Sequence, residues 1–282
     1  MRGARPVGTA LLLALAGSVA GASAQERPLR TEDPVPVPRG IVLVESGIDL
    51  LADRSFPLSG LSGTLARIPA VGFRIGFGRT EFRVSGGYQA LFVESRRAAP
   101  LSGELEVDGD VAADVVDPVV ATKIQLQHER GIRPAVGVRL ATKLPSASNE
   151  NGLGTDAIDV FVSLLAGKDL GATRVMANLG FGILSIPTRG DRQNDVLVYG
   201  VALERPVGEG WEVVAEIAGR EDVKGDTPAG TEDLGQARLG ARWSLGEAWT
   251  VDGAALFGLN DADGSVGATV GASWRVRGFD GG

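Results

Sequence analysis

From residue 41 onward, apolar side chains alternate with small or charged ones in segments of about ten residues. Within 237–245, arginine, glycine and serine alternate with alanine, leucine and tryptophan, and 266–276 repeats this pattern. Because successive side chains of a strand point to opposite faces, each segment predicts a β-strand with one apolar face. The same alternation predicts strands at 70–77, 80–93, 119–127, 133–144, 156–167, 173–184, 194–205, 211–220 and 249–259, with 41–47 as a weaker first member. The total is about twelve strands, and ten or fourteen stay open because 41–65 has the weakest pattern.

The connections between these segments alternate in length. Short turns are predicted at 78–79, 128–131, 168–172, 206–210 and 246–247, and longer loops at 95–117, 145–155, 185–193 and 221–233. Short turns at one end and long loops at the other are typical of outer-membrane barrels. The predicted fold is therefore all-β, a transmembrane antiparallel up-and-down β-barrel. A secreted β-sandwich or a lipocalin-like barrel is the alternative, although neither requires this alternation.

The first forty residues differ from the rest. Residues 1–24 have two arginines, an apolar stretch and a small-residue cleavage site at 22–24, which is the pattern of a secretory signal peptide. Residues 25–40 contain four prolines and mixed charges, so we expect an extended linker that acts as a tether or a plug. The predicted organisation is a signal peptide at 1–24, a Pro-rich linker at 25–40 and an outer-membrane barrel at 41–279. The predicted location is the outer membrane of a Gram-negative bacterium.

The composition excludes several classes of function. The chain has no Cys and one His, so disulfide frameworks, thiolate metal sites and Cys nucleophiles are excluded. Its formal net charge of −7 does not suit a nucleic-acid binder. We expect contact with outer-membrane lipid and with small-molecule solutes, no nucleic-acid partner, no cofactor and a monomeric state.

The face opposite the apolar one is rich in glycine and charge. Small side chains on the lumen wall leave space, which favours a narrow pore or an internal cleft. The predicted inward cations are Arg74, Arg83, Lys123, Arg139, Lys143, Arg174, Arg220, Arg238, Arg242 and Arg275, and the predicted inward anions are Glu81, Asp159, Glu204, Glu212, Glu216 and Asp252. The excess of four cations predicts a lumen that favours anionic or polar solutes, because a low-dielectric wall concentrates the potential. Pairing of these charges across neighbouring strands is the structural alternative.

Seven wall residues are the candidates for solute contact: Arg139, Lys143, Arg174, Glu212, Glu216, Arg238 and Arg242.

Catalytic and metal-binding signals are weak. His128 is the only candidate for a histidine base, and it falls at a short turn on the lipid-facing parity, away from outer-leaflet chemistry. The acidic stretch 104–117 does not match an EF-hand loop, so a solvated acidic loop is favoured over a calcium site. We expect neither a catalytic residue nor a metal site, and the protein is not predicted to be an enzyme.

Several strand and turn motifs carry a family resemblance. They are Ala-Thr-Lys-Leu-Pro at 141–145, Gly-Leu-Gly-Thr-Asp at 152–156, Ala-Asn-Leu-Gly-Phe at 177–181, Val-Ala-Glu-Ile at 214–217, Gly-Ala-Arg-Trp at 240–243 and Gly-Ala-Ser-Trp at 271–274. The chain resembles the outer-membrane proteins named for the meta-pathway of phenol degradation, over about 115–276. This resemblance implies a β-barrel and a transporter or channel for aromatic compounds. It implies no catalytic residues. Such barrels commonly finish on an aromatic residue, whereas this chain continues past Phe279.

The predicted function is passive passage of small polar or aromatic solutes across the outer membrane. The first alternative is a closed structural or surface-interaction barrel whose lumen is blocked by the Pro-rich segment and ion pairs. A lipid-modifying outer-membrane enzyme is the less favoured alternative.

Overall fold

The protein is a closed antiparallel barrel of twelve strands. A computed structural model describes residues 27–190, 192–225 and 227–278. The predicted signal peptide and the residues from Phe279 onward lie outside the described residues. The described ranges contain no helix long and apolar enough to cross a bilayer. The strands are β1 (Ile41–Phe56), β2 (Leu61–Gly76), β3 (Thr80–Arg96), β4 (Val111–Gln127), β5 (Ala135–Lys143), β6 (Asp159–Leu170), β7 (Thr173–Ser185), β8 (Gln193–Gly208), β9 (Trp211–Asp222), β10 (Leu234–Leu245), β11 (Trp249–Gly258) and β12 (Val266–Arg277).

Each strand pairs with its neighbours in the chain, and β1 closes the barrel against β12. The closing register opposes Ile41 to Arg277 and continues to Leu51 opposite Gly267. The predicted all-β fold, its antiparallel up-and-down order and its twelve strands are confirmed.

The connections divide the barrel into two ends. At the short-turn end lie residues 77–79, 128–134, 171–172, 209–210 and 246–248, together with the start of β1 and the end of β12. At the long-loop end lie 57–60, 97–110, 144–158, 186–192, 223–233 and 259–265. The alternation has two exceptions: the β1–β2 loop at the long-loop end has only four residues, and the β4–β5 turn at the short-turn end has seven, as many as the loops 186–192 and 259–265. The predicted 95–117 loop is also too long, since Asp114 and Asp117 belong to β4.

The outer surface of the barrel carries large apolar side chains. Leu140, Leu179 and Leu239 are each more than half exposed, and similar residues occur on neighbouring strands. Two tryptophan pairs stack at the short-turn end. The ring centroids of Trp211 and Trp243 are 5.4 Å apart, and those of Trp249 and Trp274 are 5.5 Å apart. A band of apolar residues that ends in aromatic side chains is typical of a lipid-facing barrel surface.

The lumen is not lined only by small and charged residues. Leu61, Leu65 and Leu91 are fully buried at the long-loop end, and they pack with Leu153 from the β5–β6 loop. Leu105 from the β3–β4 loop packs against the same group. The prediction of a small, polar inner wall is therefore wrong in this region, which is an apolar cluster covered by two long loops.

Candidate functional site: an occupied lumen

The extended chain that precedes β1 lies inside the barrel. We call residues 27–38 the lumen segment. Leu29 is buried against Met176, Ala202 and Val214, which belong to β7, β8 and β9. Val37, near the other end of the segment, is 2% exposed. The segment thus occupies the lumen close to the short-turn end.

Glycines of the wall make room for this segment. A Cβ atom on Gly76 would lie 1.9 Å from the carbonyl oxygen of Val37, and one on Gly200 would lie 2.6 Å from the Thr31 Oγ1 atom. Additions at Gly47 and Gly271 would meet the Arg27 guanidinium. Contacts below 3.0 Å are essentially never seen for real Cβ atoms. Part of the high glycine content therefore accommodates the lumen segment and does not line an empty pore.

Glu32 is the centre of an ionic cluster. Its carboxylate lies 2.6 Å from the Arg139 Nε atom, 3.3 Å from Arg83 Nη1 and 3.9 Å from Lys123 Nζ. The residue is only 4% exposed. Lys123 also lies 3.2 Å from Glu81, so the cluster joins the lumen segment to β3, β4 and β5. Buried opposite charges in direct contact interact far more strongly than exposed ones.

The backbone of the lumen segment is held by side chains of the wall. A Pro-rich extended chain has no internal hydrogen bonds, so its buried peptide groups need other partners. Asn178 binds both polar groups of Glu32: its Oδ1 accepts from the Glu32 N–H at 2.7 Å, and its Nδ2 donates to the Glu32 carbonyl at 2.9 Å. The Glu216 carboxylate accepts from the N–H groups of Arg30 and Thr31. Glu81 accepts from the Val37 N–H at 2.7 Å.

The first described residue of the segment is fixed by the opposite wall. Arg27 Nε lies 3.5 Å from Asp252, and Arg27 Nη2 donates to Thr269 at 2.8 Å. Arg242 Nε donates to the Arg27 carbonyl at 2.6 Å, and Arg238 donates to the Pro28 carbonyl. In the described part of the chain, nine strands contact the segment through polar side chains: β1, β3, β4, β5, β7, β9, β10, β11 and β12.

The seven predicted solute-contact residues are all engaged in ion pairs. Arg139 pairs with Glu32, and Arg174 pairs with Asp33. Arg238 lies 3.5 Å from Glu216, Arg242 lies 2.8 Å from Glu212, and Lys143 lies 3.0 Å from Asp159. Pairing across neighbouring strands thus accounts for much of this set, while Arg139, Arg174, Glu216, Arg238 and Arg242 also contact the lumen segment. Contact with a solute stays a prediction.

Arg174 extends its ionic network to the short-turn end. Its Nη1 atom lies 2.7 Å from Asp169 and 3.5 Å from Glu129. Partial burial raises the pKa of Glu129, but hydrogen bonds from Lys168 and from the Asp169 N–H outweigh this effect and lower the pKa below its usual value. The Glu129 carboxylate therefore stays ionised under mildly acidic conditions, and it keeps the β4–β5 turn tied to β6 and β7. His128, the residue before Glu129, is exposed at this turn.

A cavity of about 400 Å³ remains beside the lumen segment. It is bounded by Arg27 to Arg30 of the segment and by residues of β1 to β5 and β10. Among the described residues, no group of three or more His, Asp or Glu side chains could hold a metal ion, and the loop acids Glu104, Glu106, Asp108 and Asp110 form no such site. The position of the lumen segment agrees with the alternative in which the Pro-rich segment and ion pairs block the lumen, whereas the wall residues that contact it were not predicted.

Comparisons with known proteins support the fold. No protein-family model matches this sequence, and no curated protein sequence matches it significantly. An outer membrane channel from Pseudomonas putida F1 is similar in structure, with a TM-score of 0.56 and 12% identity, covering 86% of this chain and 98% of that one. The translocator domain of the autotransporter NalP from Neisseria meningitidis is more distant. It has a TM-score of 0.47 and 14% identity, covering 84% of this chain and 87% of that one.

Proposed function

We propose that this protein is an outer-membrane channel for small polar or aromatic solutes, closed at rest by the lumen segment. The observation that carries the proposal is the chemistry of the contacts around the segment. Most are ion pairs and hydrogen bonds, as at Glu32 and Arg27, and water can replace such contacts when the segment leaves.

The outer surface supports a membrane location. Exposed leucines, valines and phenylalanines surround the barrel, whereas soluble monomers rarely expose such large contiguous apolar patches. Strands of 9 to 17 residues reach the length that a tilted transmembrane strand needs. The outer membrane is the compartment in which such barrels reside.

The finer assignment rests on the sequence motifs. The resemblance to the outer-membrane family of the meta-pathway of phenol degradation suggests aromatic solutes. The channel from Pseudomonas putida F1 shares the fold and is described as an outer membrane channel. We carry that role over to this chain as part of the proposal.

Passage requires two movements in this proposal. At the short-turn end the lumen segment leaves, and at the long-loop end the loops that bear Leu105 and Leu153 separate from the apolar cluster. The solute then moves through the lumen along its charged inner wall. No cofactor or energy source takes part.

The experiment locks the segment with a disulfide in a chain that has no native cysteine. A Cβ atom on Gly200 would lie 3.5 Å from the Thr31 Cβ atom, within the range that a disulfide bridges. We expect the double variant Thr31→Cys, Gly200→Cys in liposomes to block solute flux when oxidised and to restore flux on reduction. The single variants Thr31→Cys and Gly200→Cys are the controls, and their flux should not respond to the redox state.

Two outcomes would contradict the proposal. Equal flux through the oxidised and reduced forms would mean that solutes pass without release of the segment. A second variant, Glu32→Gln with Asp33→Asn, removes two charges that hold the segment and should raise flux. The double change Glu106→Gln, Asp108→Asn removes the same charge from an exposed loop and should not. Absence of flux from all folded, inserted variants would establish the closed structural barrel instead.

A further inference from the structure

The cavity beside the lumen segment has an unusual distribution of charge. Six arginines line it, namely Arg27, Arg30, Arg67, Arg83, Arg139 and Arg238. Only three carboxylates line it, those of Glu45, Asp49 and Asp117. Four of the arginines pair with Glu32, Glu216 or Asp252, which do not line the cavity, so the uncompensated positive potential that favours a bound anion comes from the remaining two.

The three carboxylates are already occupied by other groups. Glu45 lies 2.9 Å from Arg74, which does not line the cavity. Asp117 lies 3.3 Å from Lys143 and accepts from the N–H groups of Ser146 and Ala147. Asp49 accepts from Thr269 Oγ1 at 2.7 Å. Glu45 and Asp117 therefore neutralise cations outside the cavity, whereas Asp49 lies 3.9 Å from Arg27 and opposite Arg67 on the neighbouring strand and offsets part of their charge.

Two of the arginines, Arg30 and Arg67, lack a direct ion pair in the described chain, although Asp49 lies opposite Arg67 on β1. Among the described residues, the guanidinium groups of Arg30 and Arg67 have no ion pair within 4 Å. The Nε atom of Arg67 is buried without any hydrogen-bond partner, although a buried donor normally has one. Arg30 comes from the lumen segment and Arg67 from β2, and both line the cavity.

The rest of the cavity lining is mostly apolar, with Ser85 as a polar residue. Leu29, Val71, Val116 and Val119 contribute to it, together with Pro28 and Ala70. The volume of about 400 Å³ lies in the usual range for small-molecule sites. It exceeds the roughly 150 Å³ that holds a benzene molecule in an apolar cavity. An inorganic anion would leave this apolar surface without contact.

We infer that this cavity binds a small organic carboxylate with an apolar body, of the size of a single aromatic ring. Arg30 and Arg67 contact the carboxylate, and the valines and Leu29 contact the ring. Charge-assisted bonds from a guanidinium to a carboxylate are the strong ones in proteins. The inference rests on the proposed function, since the bound molecule is taken to be a solute of the channel.

The test is equilibrium binding to the folded protein in detergent, measured by calorimetry with benzoate. Benzyl alcohol has the same ring without the charge, and inorganic phosphate has charge without a ring. We expect benzoate to bind, and both comparison molecules to bind at least tenfold more weakly. Arg67→Gln and Arg30→Gln should each weaken benzoate binding about tenfold. Arg205→Gln, a control at an exposed arginine of β8 outside the cavity, should leave it unchanged.

The variants and ligands separate the possible failures. Arg30 is an exposed side chain on the lumen segment, so its replacement tests the site even if Arg67→Gln fails to fold. Benzyl alcohol binding as tightly as benzoate would overturn the inference, because the arginines would then not contribute to binding of the carboxylate. Phosphate binding as tightly as benzoate would overturn the inference that the ligand is organic, because the apolar lining would then not contribute to binding. Since binding requires no passage, a wild-type protein that binds benzoate without flux refutes the channel and keeps the site.

Discussion

Glu32→Gln tests whether the ionic cluster holds the lumen segment in place. The change preserves the size of the side chain and removes its charge. Arg139 and Arg83 then lose a carboxylate at 2.6 and 3.3 Å, and Lys123 loses one at 3.9 Å. The side chain is almost fully buried, so water cannot readily replace the lost contacts.

The expected magnitude follows from the burial of this cluster. Removing one partner of a buried ion pair costs about 3 to 5 kcal/mol, because the remaining charge is left uncompensated. Lys123 keeps Glu81 at 3.2 Å, so the lower value of about 3 kcal/mol is appropriate here. At 1.4 kcal/mol per factor of ten, release of the segment becomes about 150-fold more frequent.

Hydrogen exchange of the segment amides measures this equilibrium. The N–H of Glu32 donates to Asn178 and that of Thr31 donates to Glu216, so both exchange only when the segment leaves its position. We expect both amides to exchange about two orders of magnitude faster in Glu32→Gln. Amides in the centre of β7 and β9 should keep their rates, because the barrel itself stays closed.

The control is Glu104→Gln, which removes the same charge from the exposed β3–β4 loop. It should leave the exchange of Thr31 and Glu32 unchanged. If Glu32→Gln raised these rates by less than threefold, the cluster would not be what retains the segment. If it accelerated exchange throughout the barrel, the cluster would stabilise the wall and not the segment.

Three further predictions concern other contacts. Gly76→Ala places a methyl group against the Val37 carbonyl and should accelerate hydrogen exchange of the Val37 amide. The control Gly208→Ala, with open space around it, should not change this rate. Equal Val37 exchange rates in the two variants would contradict the close approach of Gly76 to the segment. His128→Ala should leave solute flux unchanged, because this exposed side chain lies at a turn outside the lumen, and loss of flux would give it a role. Asp114→Ala removes the acceptor for the Ser148 N–H at 2.7 Å and for Asn151 at 3.0 Å, so proteases should cleave the β5–β6 loop faster than in the control Asp110→Ala.

The fold was largely predictable because the two faces of most strands meet different surroundings. In β10, Trp243 lies outside and Arg242 lies inside, and the sequence alternates accordingly. Half of three strands was not predicted: 48–56 of β1, 61–69 of β2 and 111–118 of β4. In β2 the cause is visible in the structure. The register of β2 shifts between Arg67 and Ala70, and beyond this irregularity Leu65 faces the apolar cluster of the lumen. A strand that is apolar on its inner face no longer shows the alternation that identifies a barrel strand.

The location of the lumen segment was harder to predict, because it depends on contacts between residues far apart in the chain. Glu32 and Asn178 are separated by 146 positions. Two signals were nevertheless present in the sequence. The predicted wall has more cations than anions, and Glu32 and Asp33 supply part of the difference from the Pro-rich region. The wall is also rich in glycine, and at Gly76 and Gly200 the space is taken by that region.

The lumen segment is joined to β1 through only Arg39 and Gly40, which pair with Gly76 at the short-turn end. A released segment therefore remains tethered at the rim, within about 45 Å of its anchor even when fully extended. A short tether of this kind keeps the released segment at a local concentration on the order of millimolar near the lumen. Reclosure is then an intramolecular step whose rate does not depend on how many copies the membrane holds. A free peptide of the same sequence would have to reach a millimolar concentration before it could compete for the lumen.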